Sequence, residues 1–537
     1  MNNTMSIFDI MYPKYKITKP IRLIEMFSGY GSQALALKYL GEPFEHWRTC
    51  EWAVKSIQAY KDIHFENNNI DYLALQPYDD KRKWLISWLF ERGISSNYNE
   101  SMTKEQISRL NDKQLKTIYN NIVATNNMVN IQQVKGKDLD IVDTDKYEYI
   151  MTYSFPCQDL SLAGKKKGMS DTSTRSGMLW EVERILTECQ ELGTMPQILL
   201  MENVPQVHSQ DNMPDFHKWQ VRLEELGYKS YWQDLIATDY GIPQTRNRCF
   251  MVSILGDYSY TFPQPIPLKL KLKDMLEDNV DEKYYLSDKM LKCLMNDDTK
   301  EFNRKERFLQ TLQNTNEKGI ASTLCTTGGS RPTDNFIKVK KETENYIEWE
   351  EKGKIQMNCR AWKDDKIVAT LNTGGETKIL IKNATKQGYL EATDGDGVDI
   401  SSRMEYHRGN VQKDKIQTLT TSGGNDRGVV TACAMRGREG NQQIELSNRE
   451  LANTITTVQK DSMVANNLRI RKLTPRECGR LMNVKDEDID KIQLSDSAMY
   501  HIFGDSICTN VLMAIFGELL DINWKQKLEE MLYGNTN

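Results

Sequence analysis

The sequence predicts an α/β fold with a mostly parallel sheet, joined to a smaller β-rich domain. Three observations point there. Apolar runs of strand length alternate with helical patterns through the first half, a glycine turn follows the first run, and after residue 275 the composition shifts to Thr, Gly, Asn and Lys in short alternating segments. At 537 residues there is room for two or three domains, and 39% apolar residues with ten Trp can bury a core, which excludes a disordered chain.

Residues 21–27, IRLIEMF, read as the first strand, Ser28-Gly29-Tyr30-Gly31 as its turn, and SQALALKYL as a helix closed by Gly41. HWRTCEW is the second strand candidate, reaching Glu51 about twenty residues beyond the turn, with helical AVKSIQAY after it. Strand, glycine turn, helix, strand and acid in this order resemble a nucleotide-binding unit. Taken bare, F-x-G-x-G fits equally well a plain turn that needs glycine for its positive φ. Residues 66–134 are polar and helical with no chemical motif, and read as an inserted subdomain. Further strands are expected at 147–155, 197–204, 228–237 and 248–255.

The later part of the chain repeats itself. Thr323-Leu324-Cys325-Thr326-Thr327-Gly328-Gly329, Thr370-Leu371-Asn372-Thr373-Gly374-Gly375, Thr418-Leu419-Thr420-Thr421-Ser422-Gly423-Gly424 and a degenerate Thr454-Ile455-Thr456-Thr457 recur. In the first three, a second apolar run follows the Gly-Gly break, so each reads either as a hairpin-like unit or as convergent Thr-rich turn chemistry.

With 70 Lys and Arg against 75 Asp and Glu, the net charge is −5, so any nucleic-acid binding needs a local basic surface. The N-terminus lacks the apolar core of a signal peptide and no stretch approaches about 18 apolar residues. A cytoplasmic protein with no membrane partner is therefore expected. No C-x-x-C pair occurs among the ten Cys, and none of the six His sits in H-E-x-x-H, so no metal is expected.

The sharpest segment is Ser154-Phe155-Pro156-Cys157-Gln158-Asp159-Leu160, where a Cys follows an apolar strand at the sheet edge that usually holds active sites. Met201-Glu202-Asn203-Val204, Gln244-Thr245-Arg246-Asn247-Arg248 and Arg471-Lys472-Leu473-Thr474-Pro475-Arg476-Glu477-Cys478 join it. With F-x-G-x-G, E-W and a terminal G-x-S, these motifs follow in order the pattern of the DNA cytosine-5 methyltransferases. The sequence resembles that family, in its bacterial or phage form, over roughly 20–60, 136–270 and 469–520.

The resemblance implies a Rossmann-like, S-adenosylmethionine-dependent domain at 1–275 with the 66–134 insertion, a target-recognition domain at 276–466 and a return to the catalytic domain at 467–537. It implies that the thiolate of Cys157 adds to carbon 6 of a cytosine, that Glu202 holds a proton at ring nitrogen 3, that Arg248 contacts the cytosine carbonyl, and that Arg246 steadies the nucleophile loop. The target base would be flipped out of a specific double-stranded DNA sequence. Pro156, Gln158, Asn203, Lys165, Lys166 and Lys167 would meet the DNA or orient the site. For the cofactor it implies Phe27 and Trp52 on the adenine, Gly29 and Gly31 near the methionine moiety, Glu51 on the ribose, Asp138 (with Asp140 a close competitor) on the adenine amino group, and Asp505 and Ser506 completing the pocket. The chain departs from the family pattern with Asp505 where Asn is usual, Ser32 where a second Gly is common, and Glu148 for Asp. A monomer and a cognate restriction endonuclease acting on the same site complete the expectation. A tRNA cytosine-5 methyltransferase, a DNA-binding pseudoenzyme and a Rossmann oxidoreductase with a redox Cys are the alternatives.

Overall fold

The computed structural model describes residues 12–156, 176–287 and 468–534, with parts of 308–337 and strand backbones between 336 and 446. The chain divides into two compact units, Met1–Ile337 with Arg471–Asn537, and Lys338–Ile470.

Six strands build the sheet of the first unit: β1 (Ile21–Met26), β2 (Phe44–Cys50), β3 (Glu148–Tyr153), β4 (Ile198–Asn203), β5 (Tyr228–Ile236) and β6 (Asn247–Leu255). Their order is β2-β1-β3-β4-β6-β5. The pairs β1–β2, β1–β3 and β3–β4 are parallel, whereas β6 runs antiparallel to both β4 and β5. β1, β3 and β4 are buried at every residue, which is why they read as continuous apolar runs and not as alternating ones. All six lie where the sequence placed them.

Helices α1 (Ser32–Leu40) and α2 (Val54–His64) follow β1 and β2. The insertion holds α3 (Lys81–Arg92), α4 (Lys104–Ser108) and α5 (Asp112–Ala124). Asn111 and Thr103 cap the latter two with Gln at the third position, the reciprocal pairing that starts a helix sharply. Leu85, Leu89, Leu115 and Ile122 close a separate core there, which Ile57 of α2 joins. α6 (Leu179–Leu192) and α7 (Met213–Glu225) bury Val182, Ile185, Phe216 and Trp219 in the main core with Met151 and Met201 of the sheet.

The returning segment forms α8 (Pro475–Leu481), α9 (Asp486–Ile489), α10 (Asp496–Asp505), α11 (Thr509–Leu520) and α12 (Trp524–Tyr533), with α11 packed on α1. One expectation is corrected here. The stretch Asp496–Leu520 reaches a mean hydropathy of 1.4 and is long and apolar enough to span a bilayer by composition. Its apolarity has another cause: 83% of that window is buried inside the protein, where α11 forms a central core helix.

Arg471 and Glu477 meet twice, Nη1 to Oε2 and Nη2 to Oε1 at 2.8 Å each, with side chains 3% and 0% exposed. Thr474 caps α8, its backbone N–H donates to Glu477 Oε2, and that of Glu277 donates to Oε1. The R-x-L-T-P-R-E-C motif is thus a closed knot that fixes where the chain comes back.

The second unit contains short antiparallel pieces. Ile367–Thr370, Lys378–Lys382 and Tyr389–Ala392 form one three-stranded sheet, and Gly397–Asp399 lies between Asn410–Gln412 and Arg427–Val429 in another. The strands on either side of the second Thr/Gly repeat, Ile367–Thr370 and Lys378–Lys382, pair antiparallel with Thr370 opposite Lys378. The third repeat, Thr418 to Gly424, lies outside the described residues, and the strand after it, Arg427–Val429, pairs with Gly397–Asp399. Of the first repeat, Leu324 belongs to the catalytic unit, where its N–H donates to Gln244 Oε1 at 3.0 Å. That unit continues to Ile337, past the limit of 275 expected from composition. The strands that carry the chain out and back, Phe336–Lys340 and Leu468–Lys472, pair with each other.

Candidate active site

The carboxyl ends of β1, β2, β3 and β4 deliver the predicted residues to one edge of the sheet. Phe27 follows β1 with φ +61, and its N–H donates to Cys50 O at 2.8 Å across to β2. A non-glycine residue held there is strained, and such strain concentrates at functional turns. Gly29 has φ +55 and nothing within 4 Å of where a Cβ would stand, so its face opens into free space. Gly31 is glycine for another reason: a Cβ would lie 2.4 Å from His64 Nε2 and 2.6 Å from the Tyr60 ring. Packing against α2 leaves no room for a side chain there, and φ +83 favours glycine as well.

Glu51, just past β2, accepts from Gly29 N at 3.1 Å and from Ala53 N at 2.8 Å. Burial pushes its carboxyl up to about 7, the backbone N–H groups of Ala53, Gly29 and Trp52 pulling back only in part. A partly buried acid beside an open glycine turn fits the ribose of S-adenosylmethionine by its chemistry, since hydroxyls can donate to it. Trp52 packs against the core of the insertion, and its carbonyl accepts from Ser95 N at 2.7 Å. Asp138 is exposed and caps its own turn through Lys135 N at 2.9 Å, while Asp140 pairs with Arg48 at 2.7 Å.

On the other side, Glu202 ends β4 with its side chain 10% exposed, and Arg248 Nε of β6 lies 3.0 Å from its Oε1. Burial raises the Glu202 carboxyl, and Arg248 and Arg246 offset this in part. Asn203 Nδ2 donates to Phe155 O at 3.0 Å while its Oδ1 accepts from Val204 N at 2.8 Å. It thereby clamps the end of β4 to the segment that leads into Pro156. Cys157, Gln158, Lys165, Lys166 and Lys167 lie outside the described residues.

Arg246 was expected at the nucleophile loop. Its described bonds go elsewhere: Nη1 donates to Gly504 O at 3.0 Å and Nη2 to Ser506 O. It therefore ties the C-terminal G-x-S turn to the catalytic edge, with Phe503 against Tyr30, their rings 5.5 Å apart. Asp505, between those two carbonyls, lies 3.2 Å from His501 Nδ1.

Residues 92–521 match the family of C-5 cytosine-specific DNA methylases, a span that holds β3 to β6 and the returning segment but begins after β1, β2 and Glu51. The chain belongs to that family. It is a DNA cytosine-5 methyltransferase whose methyl donor is S-adenosylmethionine. The type II methyltransferase M2.ScrFI of Lactococcus lactis subsp. cremoris is 34% identical over 50% of this chain and 70% of its own length. The orphan methyltransferase M.SssI of Spiroplasma monobiae is 35% identical over 50% and 68%. The type II methyltransferase M.BanI of Aneurinibacillus aneurinilyticus is 24% identical but spans 75% of this chain and 88% of its own. Among solved structures, an Entamoeba histolytica methyltransferase covers 94% of this chain and 99% of its own at a TM-score of 0.47 and 12% identity.

Sequence reasoning missed three contributors. Glu25, buried within β1, accepts from Tyr60 OH at 2.5 Å and Ala34 N at 3.3 Å, and burial pushes it up to about 7. It joins the start of α1 to α2 behind the glycine turn. An acid inside an otherwise apolar strand was the available signal. Gln244, quoted only as a motif letter, is fully buried and bridges Leu481 O at 2.7 Å to Leu324 N. Tyr98 of the insertion stacks on His501 with ring centroids 3.7 Å apart. Among the described residues one trio, His208, Asp234 and Cys249, has metal-ligand chemistry, with His208 Nε2 2.9 Å from Asp234 Oδ1.

Proposed function

We propose that this methyltransferase modifies a cytosine flipped out of a specific double-stranded DNA sequence, through a covalent adduct on Cys157. The observation that carries the reading is Glu202 against Arg248 at the end of β4, with Asn203 holding Phe155, two residues before Cys157. Carbon 5 of cytosine is a poor nucleophile. A thiolate at carbon 6 makes the ring enamine-like, and the negative charge that develops must be met at nitrogen 3. A carboxyl raised by burial can keep a proton at that nitrogen, and the guanidinium of Arg248 orients it while reaching for the base carbonyl. Bound S-adenosylmethionine supplies the methyl group as an electrophile. Phe27, Gly29, Glu51, Trp52, Asp138, Asp505 and Ser506 would hold it, with Gly31 shaping the turn.

Pro156, Gln158 and Lys165 to Lys167 are assigned to the DNA, as phosphate contacts or contacts to the flipped nucleotide. The segment from about 276 to 466 is assigned to target recognition, with the unit Lys338–Ile470 as its body. We place the protein in the bacterial cytoplasm as a monomer, with a cognate endonuclease suggested by the names of its type II relatives.

Duplexes carrying 5-fluorocytosine test the reading, because fluorine blocks the elimination that frees the enzyme. The wild-type protein is expected to form a denaturation-resistant adduct, and Cys157→Ala to form none while still binding DNA. An adduct that persists in Cys157→Ala would remove that residue from the mechanism.

A further inference from the structure

We infer that Asp505 sets donor specificity, favouring the positively charged S-adenosylmethionine over its neutral demethylated product, and that Tyr98 of the insertion positions it through His501. The inference rests on the cofactor site proposed above.

Methyl transfer changes the charge of the ligand. The bond from sulfur to the methyl carbon breaks, its electron pair stays on sulfur, and the methyl joins carbon 5. The cationic sulfonium becomes a neutral thioether. The carbon 5 proton leaves afterwards, as the Cys157 thiolate is eliminated. A carboxylate near the sulfur attracts the donor and loses that attraction once the methyl has gone.

Asp505 stands where such a carboxylate would act. Arg246 takes the carbonyls on either side of it, Gly504 and Ser506, and so fixes its backbone beside the edge that carries Glu202. From the other direction, Ser95 is stitched to the turn after Glu51: its N–H donates to Trp52 O at 2.7 Å, and its O accepts from Val54 N at 2.9 Å. Three residues on, Tyr98 N donates to Ser95 Oγ at 3.1 Å, and the Tyr98 ring lies on His501 at an interplanar angle of 11°. His501 Nδ1 is in turn 3.2 Å from Asp505 Oδ2. Asp505 is thus bracketed between the acid proposed for the ribose and the acid proposed for the base, the span across which the methyl must pass. The electrostatics agree, for Asp505 acts on the carboxyls of both Glu51 and Glu202. Its side chain keeps 57% exposure, so a ligand can reach it; burial pushes its carboxyl up, and the neighbouring His501, Arg246 and Arg248 pull it back in part.

Tyr98 has φ +63, a conformation costly for an aromatic residue, which the fold maintains to deliver this ring. The insertion, which carried no chemical motif in the sequence, thereby gains a part in the site.

Isothermal titration of the full-length protein with three ligands tests this: S-adenosylmethionine, S-adenosylhomocysteine, and sinefungin, which carries an amine in place of the methylated sulfur. Asp505→Asn is expected to weaken the donor and sinefungin by about tenfold while leaving S-adenosylhomocysteine unchanged. Asp505→Glu should keep most of the preference. Tyr98→Ala should lose part of the preference and Tyr98→Phe retain it. Equal loss for charged and neutral ligands in Asp505→Asn would overturn the inference, as would an unchanged preference. Glu51→Ala serves as the reference. If it leaves all three affinities intact, the cofactor site itself is misplaced, an outcome distinct from failure at Asp505.

Discussion

Among the described residues, two Arg–Glu pairs have both side chains largely buried, and they are built for opposite ends. In the returning segment, Glu477 has both oxygens taken, by the two guanidinium nitrogens of Arg471 and by the backbone N–H groups of Thr474 and Glu277. At the sheet edge, Glu202 Oε1 meets Arg248 Nε at 3.0 Å, and the acid carries a raised carboxyl. A carboxylate with every lone pair engaged is a structural bolt. One in a dry setting whose raised carboxyl is only partly offset by neighbouring cations is suited to a further partner, and here that partner is proposed to be the base. The same two residue types therefore do different work according to how completely the acid is satisfied.

The largest effect should come from breaking the open pair. Glu202→Gln is expected to lower turnover by roughly 10²- to 10⁴-fold, the range of general acid catalysis, with the melting temperature and donor affinity almost unchanged. Single-turnover kinetics on duplex DNA beside a thermal melt would show it. Comparable losses in both would make Glu202 a second structural bolt.

The closed pair should answer in the other measurement. Glu477→Ala leaves Arg471 buried and uncompensated, which costs about 3–5 kcal/mol. A marked drop in melting temperature is expected, while turnover at a permissive temperature changes little. Replacing both partners with Met and Leu should restore much of the lost stability.

The smallest effect concerns an acid with no cation in contact. Glu51 is met by backbone N–H groups and pushed up to about 7, so below that pH the free protein holds it neutral. Ribose hydroxyls donate best to the ionised form, so donor binding should expel a proton near neutrality. Affinity is expected to rise about tenfold between pH 6 and 8 and then level off, and Glu51→Gln should flatten the profile. Titrations in buffers of different ionisation heat would report the proton directly.

β1, β3 and β4 were legible because parallel strands covered on both faces must be apolar throughout, and the turn at Gly29 because only glycine relaxes at its φ. Glu51, Glu202 and Arg248 were legible from local motif order. Partners distant in sequence were not. Nothing near Arg246 announces that it reaches Gly504 and Ser506, more than 250 residues on. Nor does the SSNYNE stretch around Tyr98 announce a ring stacked on His501. Gly31 was legible as glycine from the positive φ its turn requires, but the crowding by His64 and Tyr60 arriving from the next helix was not. The apolar stretch at Asp496–Leu520 was underestimated because its polar residues are spread along it, and because a central core helix and a membrane span share a composition.

The pairing of Phe336–Lys340 with Leu468–Lys472 has a consequence for what the catalytic unit can carry. Once those two strands are zipped together, the segment between them is a closed loop whose ends are already paid for by the ladder. The entropy of closing a flexible loop grows only with the logarithm of its length, about 0.6 kcal/mol for each doubling. Insertions of quite different size can hang from the same clasp at nearly constant cost, so the catalytic unit is thermodynamically insulated from whatever length of chain it holds.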